Sequence, residues 1–403
     1  MFVLKHRWLL MIALWLIPVV KGRLTNLVPI FRVVDLTLLV VGLMVVFCLI
    51  DNRFLRRLKN KHTRRCLLFN LILAALMIVS LLWTEAPEYG FQKAFKFTTF
   101  SIVSFIAPLV LLKTKEDVVR FLYGLVFTSI FVGLIVILAP DAQAGSYRAS
   151  AFASSPLNPA FVMAVGASIC FLLPQKLVLV NRFLFSGVFL FLQYGIYVTS
   201  SRSMFVQAIL ALAVWAFLTK SDQKWLFRAI VIIAVIGIPL YVITDSNSSS
   251  RMVDSLSDPV EILQSSARFG MWEFCVKQAP ERPFVGHGSG SFATLYFGRD
   301  SRLFPHNMFL EALFEFGIVG LVLLVSVFWT IGGAYYESIL KSQRTKNKSL
   351  SDLATLLFSA IVAATLSLSL HWDISDNRLL WNMLGVLLVV LILKKAEVSN
   401  PYA

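Results

Sequence analysis

Long apolar stretches separated by short polar connections dominate the pattern along this chain. A bilayer core takes roughly 20 apolar residues per helix, and stretches near that length recur at 7–20, 33–50, 66–83, 97–112, 119–138, 159–173, 183–198, 204–218, 229–243, 308–331, 353–370 and 379–393. The pattern predicts an all-α polytopic membrane protein of about 12 transmembrane helices, with one long, partly helical extracytoplasmic loop. Residues 1–243 carry the first nine helices, 244–306 form the loop, and 307–403 carry the last three.

Composition agrees with that frame. A 403-residue chain that is 58% hydrophobic, with mean hydropathy +0.78, has more apolar surface than a soluble domain of that size buries, so the surplus faces lipid. Basic residues set the orientation, because Lys and Arg near span ends stay cytoplasmic. With both termini inside, segments 1–8, 51–65, 113–120, 174–182, 219–228, 335–350 and the tail hold 23 of the 37 Lys and Arg. Arg53, Arg56, Arg57, Lys59, Lys61, Arg64 and Arg65 in the first inside loop carry most of the signal. This bias, with anionic headgroups as partners, accounts for a net charge of +15 without any nucleic acid. Lys5 and Arg7 precede an apolar run with no small-residue cleavage site after it, so a retained first span is expected. Cys48, Cys66 and Cys170 lie in or at the ends of spans and only Cys275 lies in the outer loop, which argues against a disulfide framework. No His/Cys cluster has metal-ligand spacing, and neither a metal nor a cofactor is expected.

Outer connections such as 84–95, 199–203 and 371–378 are short, whereas 244–305 is much longer than a connection needs. Within it Asp258, Pro259 and Glu261 form an N-cap, a first-turn proline and a capping-box acid. Ile262, Leu263, Phe269, Trp272, Cys275 and Val276 then recur at helix-like spacing, interrupted by Gly270, predicting an amphipathic helix at the membrane surface that ends at Ala279 and Pro280. Arg268 falls one turn before Trp272. Next comes Pro283 to Phe292, with glycines at 286, 288 and 290. It reads either as an ordinary glycine-rich turn or as a backbone that presents N–H groups to an anion; no βαβ unit surrounds it, so it is not a dinucleotide fingerprint.

The loop closes on His306 and Asn307 at the mouth of a span that carries Glu311 and Glu315. Acids within a membrane are costly enough to be functional, and the alternative is that these two pair with outer-loop arginines. Arg202, in the hairpin between two spans, and Arg148, upstream of Asn158-Pro159, lie outside against the charge trend and call for anionic partners, for which lipid phosphate would suffice.

At these residues the sequence resembles the O-antigen ligase and polymerase superfamily, bacterial membrane proteins that move lipid-linked glycans. His306-Asn307, nine residues, then Gly317-x-x-Gly320 is similar to the ligase signature H-[NSQ]-x9-G-x-x-G. Thr199-Ser200-Ser201-Arg202 resembles the family's Ser-Arg hairpin, and Ala267-Arg268 with Trp272 and Pro283 to Gly288 resembles its loop pattern. The likeness runs from Arg148 to Gly320. Leu321 stands where ligases often carry a small or hydroxyl residue, which shifts weight toward polymerases.

The resemblance implies an inner-membrane glycosyltransferase, metal-independent and inverting, with both termini cytoplasmic and its site on the periplasmic side. Its donor would be a glycan on undecaprenyl diphosphate, and its acceptor a sugar hydroxyl of lipid A-core or, for an O-antigen or exopolysaccharide polymerase, of a second lipid-linked glycan. Such a donor carries its own activation, and the departing diphosphate needs cations. Arg202 and Arg268, with Arg148 as a third, fit that task through their planar, permanently charged forks. His306 fits as general base, since an unperturbed imidazole titrates at about 6.5, with Asn307, Glu311, Glu315 and Trp272 in support. A transporter is the alternative from another class; the chain shows no internal repeat or interrupted midplane span in its favour.

Overall fold

The computed structural model describes residues 6–27, 35–138, 141–142, 149–150, 155, 157–172, 179–199, 201–219, 267–341, 348–369 and 372–399. Arg148, the expected span 229–243 and the Asp258-Pro259 helix start lie outside them.

Apart from one two-residue antiparallel pair, Asp141–Ala142 with Ala149–Ser150, the described elements are helical. The first half of the chain comprises α1 (Trp8–Leu27), α2 (Leu36–Ile50), short α3 (Arg53–Arg57), α4 (Lys61–Val79), α5 (Pro87–Lys96), α6 (Ile102–Leu111), α7 (Lys115–Leu138), α8 (Leu157–Leu172), α9 (Leu179–Val198) and α10 (Arg202–Thr219). After the loop come α11 (Ala267–Gln278), α12 (Ser291–Phe297), α13 (Met308–Tyr335), α14 (Lys348–Leu368) and α15 (Arg378–Ser399). Six helices are long and apolar enough to cross a membrane, and five shorter apolar helices accompany them among the described residues. The chain is a multi-pass membrane protein.

Caps mark several starts. Asp35 accepts from the Thr37 amide at α2, and Asn60 from the His62 and Thr63 amides at α4. Near the centre of the bundle, α15 packs on α6 and α14, and α8 on α7, α9 and α10. Residues 379–391 of α15 are buried almost without exception. Gly385 lets α15 and α6 approach so closely that a Cβ there would lie 2.3 Å from the Phe105 carbonyl oxygen. Asn382 ties three helices together by accepting from Trp15 Nε1 at 3.0 Å and donating to the Ser104 carbonyl at 3.0 Å.

One expected boundary is corrected. Residues 84–95 read as an outer connection ahead of a span at 97–112, but α5 continues through a π-turn, Phe97–Ser101, into α6. Residues 87–111 therefore form one membrane-length helix. Its first turns are polar toward the protein and apolar away from it: Tyr89, Gly90, Lys93 and Ala94 are buried, while Phe91 and Phe95 are exposed. A lysine on the inner face broke the apolar run on which the boundary was read.

Among the described residues, polar connections gather at the two ends of the bundle. At one end Arg57 donates to the Leu109 and Leu112 carbonyls, both at 2.7 Å, and Arg7 pairs with Asp51 at 2.7 Å. At the other, segments near 84, 300 and 373 meet.

Candidate functional site

The site is built around a break in α13. Gly317 sits at φ 64°, ψ −164°, inside an otherwise helical run. That left-handed value suits glycine alone, and a Cβ there would lie 2.4 Å from the Phe284 carbonyl carbon. The break releases main-chain groups, and the Pro283–Phe292 segment takes them up. Ile318 N donates to the Pro283 carbonyl at 2.8 Å, while His287 N and Gly288 N donate to the Phe314 and Glu315 carbonyls at 3.0 and 2.8 Å. Gly286, at φ 65°, admits this contact, since a Cβ on it would lie 2.4 Å from the Glu315 carbonyl carbon.

The glycine-rich segment is thus a clasp between α13 and the α4–α5 corner, with its N–H groups spent inside the protein. Ser289 N donates to Ser80 Oγ at 3.0 Å, Thr84 Oγ1 to the Ser289 carbonyl at 2.7 Å, and Gly290 N to Glu315 Oε2 at 3.0 Å. The anion met by this backbone is the protein's own carboxylate. His287 belongs to the clasp too, stacked on Phe314 at 4.7 Å.

Among the described residues, Glu311 and Glu315 pair with Lys93. Lys93 Nζ donates to Glu311 Oε1 and to Glu315 Oε2, the latter at 2.5 Å, and all three side chains are fully buried. Glu311 Oε2 also accepts from Ile374 N at 3.1 Å. Lys93 and main-chain amides engage three of the four carboxylate oxygens, which anchors the 283–292 clasp and the 372–377 turn to α13. One more atom, Glu315 Oε1, is buried without a partner.

Around this triad runs an acidic ring that sequence reasoning missed. Tyr89 Oη donates to Asp373 Oδ2 at 2.6 Å, and Asp300 accepts from the Glu88 and Tyr89 amides at 2.9 and 3.1 Å, capping the α5 N-terminus. Asp376 takes Arg302 and, at 3.6 Å, Lys96. Burial by itself raises the Asp376 carboxyl pKa, but the Arg302 and Lys96 charges outweigh it and hold the group below the usual aspartate range. The available signal was Lys93, inside the 84–95 connection placed outside against the charge trend, with Lys96 just after it.

The candidate catalytic residues lie at this same end. Within α11, Met271, Phe274 and Cys275 face the Phe292 and Phe314 cluster, while Phe269 and Val276 stay exposed. Gly270 does not interrupt the helix, and it ends at Gln278 as expected. Arg268 is half-buried, one turn before Trp272. Trp272 Nε1 donates to the Pro305 carbonyl at 2.8 Å, immediately before His306. His306 has φ 54°, a strained value for a non-glycine residue, and its ring lies 4.6 Å from that of Phe304. Asn307 caps α13 by accepting from the Phe309 and Leu310 amides at 3.1 and 3.2 Å. The Trp272 hydrogen bond therefore ties the helix that carries Arg268 to the backbone next to His306. Arg202 opens α10, whose Met204 accepts from Ser367 Oγ at 3.5 Å near the end of α14.

A membrane helix bundle that folds a late loop back onto a broken span is the class these features define. Residues 186–325 match the family model described as O-antigen ligase, which bears out the resemblance to the O-antigen ligase and polymerase superfamily over that region. No curated protein matches the chain significantly. Among solved structures, a chain from "Structural coordination of polymerization and crosslinking by a peptidoglycan synthase complex" is similar in fold, with TM-score 0.52 and 13% identity over 84% of this chain and 97% of that one.

Proposed function

We propose that the protein transfers a glycan from a polyprenyl (undecaprenyl) diphosphate carrier to a sugar hydroxyl at the periplasmic face of the inner membrane, with 244–306 as the extracytoplasmic loop. The carrying observation is the Trp272–Pro305 hydrogen bond, which holds the helix of Arg268 against the backbone of His306. In this reading Arg268 and Arg202 grip the diphosphate, with Arg148 as a third cation. His306 takes the proton of the acceptor hydroxyl as its oxygen attacks the anomeric carbon. The bond from that carbon to the diphosphate breaks, and the electron pair leaves with the phosphate, where the guanidinium groups offset the charge. Direct attack inverts the anomeric centre.

A lipid A-core acceptor makes the protein a ligase, and a second lipid-linked glycan makes it a polymerase. Leu321 after the signature and the likeness in fold to a chain from a peptidoglycan synthase complex described for polymerization support the polymerase version. Reconstituted protein supplied with a polyprenyl diphosphate-linked glycan and either acceptor tests both. Extension of lipid A-core supports the ligase, and extension of the second donor supports the polymerase. No transfer to either, with substrate-dependent solute flux, overturns the reading in favour of a transporter.

A further inference from the structure

At the opposite end of α13 from His306, the ends of α4, α13 and α15 enclose a cavity of about 210 Å³. Its polar lining includes Lys61, His62, Glu337, Ser338, Lys394 and Lys395, and Leu391 and Ile392 give it an apolar wall. Three lysines thus face one carboxylate. Glu337 is already engaged, by Lys61 at 2.9 Å and by His62 Nε2 at 3.1 Å.

Lys394 is only 3% exposed. Its ammonium donates to a single neutral acceptor, the Ser338 carbonyl, at 2.6 Å, and no carboxylate pairs with it among the described residues. An ammonium has three protons to place, and a buried charge without an opposite one is costly. His62 adds a second unmet group in the same lining, since its Nδ1 is buried with no partner among the described residues. A ligand that matches this set carries negative charge and several acceptor oxygens, and its neighbouring surface is apolar. The cavity also opens where the α15 span, Arg378–Ala396, reaches the basic end of the bundle, the depth at which headgroups lie.

We infer that this cavity between α4, α13 and α15 binds the phosphate of an anionic membrane lipid, with Lys394 and Lys61 as its charge partners. The inference is independent of the glycan-transfer reading, because no residue of that site takes part.

Native mass spectrometry of the full chain in neutral detergent tests it, with phosphatidylglycerol, phosphatidylcholine and inorganic phosphate as probes. Phosphatidylglycerol should bind more tightly than phosphatidylcholine, and Lys394→Gln should weaken it about fivefold, the worth of one basic contact at a membrane surface. Glu337→Gln removes the competing carboxylate from an exposed position and should tighten phosphatidylglycerol binding. This variant keeps the test decisive if Lys394→Gln fails to fold. Equal binding of the two lipids, or parental affinity in both variants, overturns the proposal. Inorganic phosphate that displaces phosphatidylglycerol at equal concentration would make the ligand a free anion and overturn the lipid assignment.

Discussion

Lys93 Nζ lies 2.5 Å from Glu315 Oε2, 222 positions away in the chain, and neither side chain has any accessible surface. With Glu311 the lysine makes a buried triad; the loop bearing the candidate site hangs from it through Gly290, and the 372–377 turn through Ile374.

Removing the cation should therefore unseat the loop. Lys93→Met leaves two buried carboxylates without their partner, a loss of about 3–5 kcal/mol by analogy with broken buried ion pairs. Lys93→Met combined with Glu311→Gln and Glu315→Gln should recover part of it. Thermal unfolding of purified protein in detergent reads both; a Lys93→Met variant with parental stability would remove the triad from this account.

The break in α13 makes a second case. Gly317→Ala puts a Cβ on a backbone at φ 64°, ψ −164°, a region glycine alone enters, at about 1–3 kcal/mol, and drives it into the Phe284 carbonyl. Gly332→Ala, on the same helix with nothing within 4 Å of its Cβ position, is the matched control. Stability should fall for the first and hold for the second, measured by melting in detergent.

Glycan transfer should depend on the Trp272 link beyond its contribution to stability. Trp272→Phe keeps an aromatic ring and loses one hydrogen bond, about 1 kcal/mol net. Displacing reacting groups by an ångström costs on the order of 10²-fold in rate, so transfer should drop far more than stability does. Arg268→Ala, Arg202→Ala and His306→Ala should abolish transfer at unchanged protein level, and Arg→Lys should impair it, because a point charge does not replace the planar fork. Near-parental transfer by any alanine variant takes that residue out of the mechanism.

Acid should loosen the 302–376 contact. The Asp376 carboxyl is held below its ordinary 3.8 against burial, by Arg302 and then Lys96. A lowered folded-state pKa means its stabilisation is complete above about pH 4 and fades as pH falls through the depressed value. Asp376→Asn should thus lower the melting point at pH 7, and the gap to the parent should narrow at the acid end of that window. A gap independent of pH would assign Asp376 a purely packing role.

Much of this protein was legible in one dimension. Apolar runs of bilayer length and the 306–320 signature each depend on residues near one another in sequence, and they marked most of the described helices and pointed to the superfamily. Asn307 as a helix cap beside His306 belongs to the same local order. Only the tertiary structure decided where the charges inside the bundle go. Lys93 interrupts an apolar run, so hydropathy places it outside, yet α5 turns that face inward because Glu311 and Glu315 wait more than two hundred positions later. The glycines at 286, 288 and 290 suit an anion cradle as well as a turn when read alone; the opened backbone at Gly317 makes them a clasp. Partners so distant in sequence leave no local periodicity, and burial joins them because an unpaired charge or main-chain amide inside the bundle costs more than the ordering that pairs it.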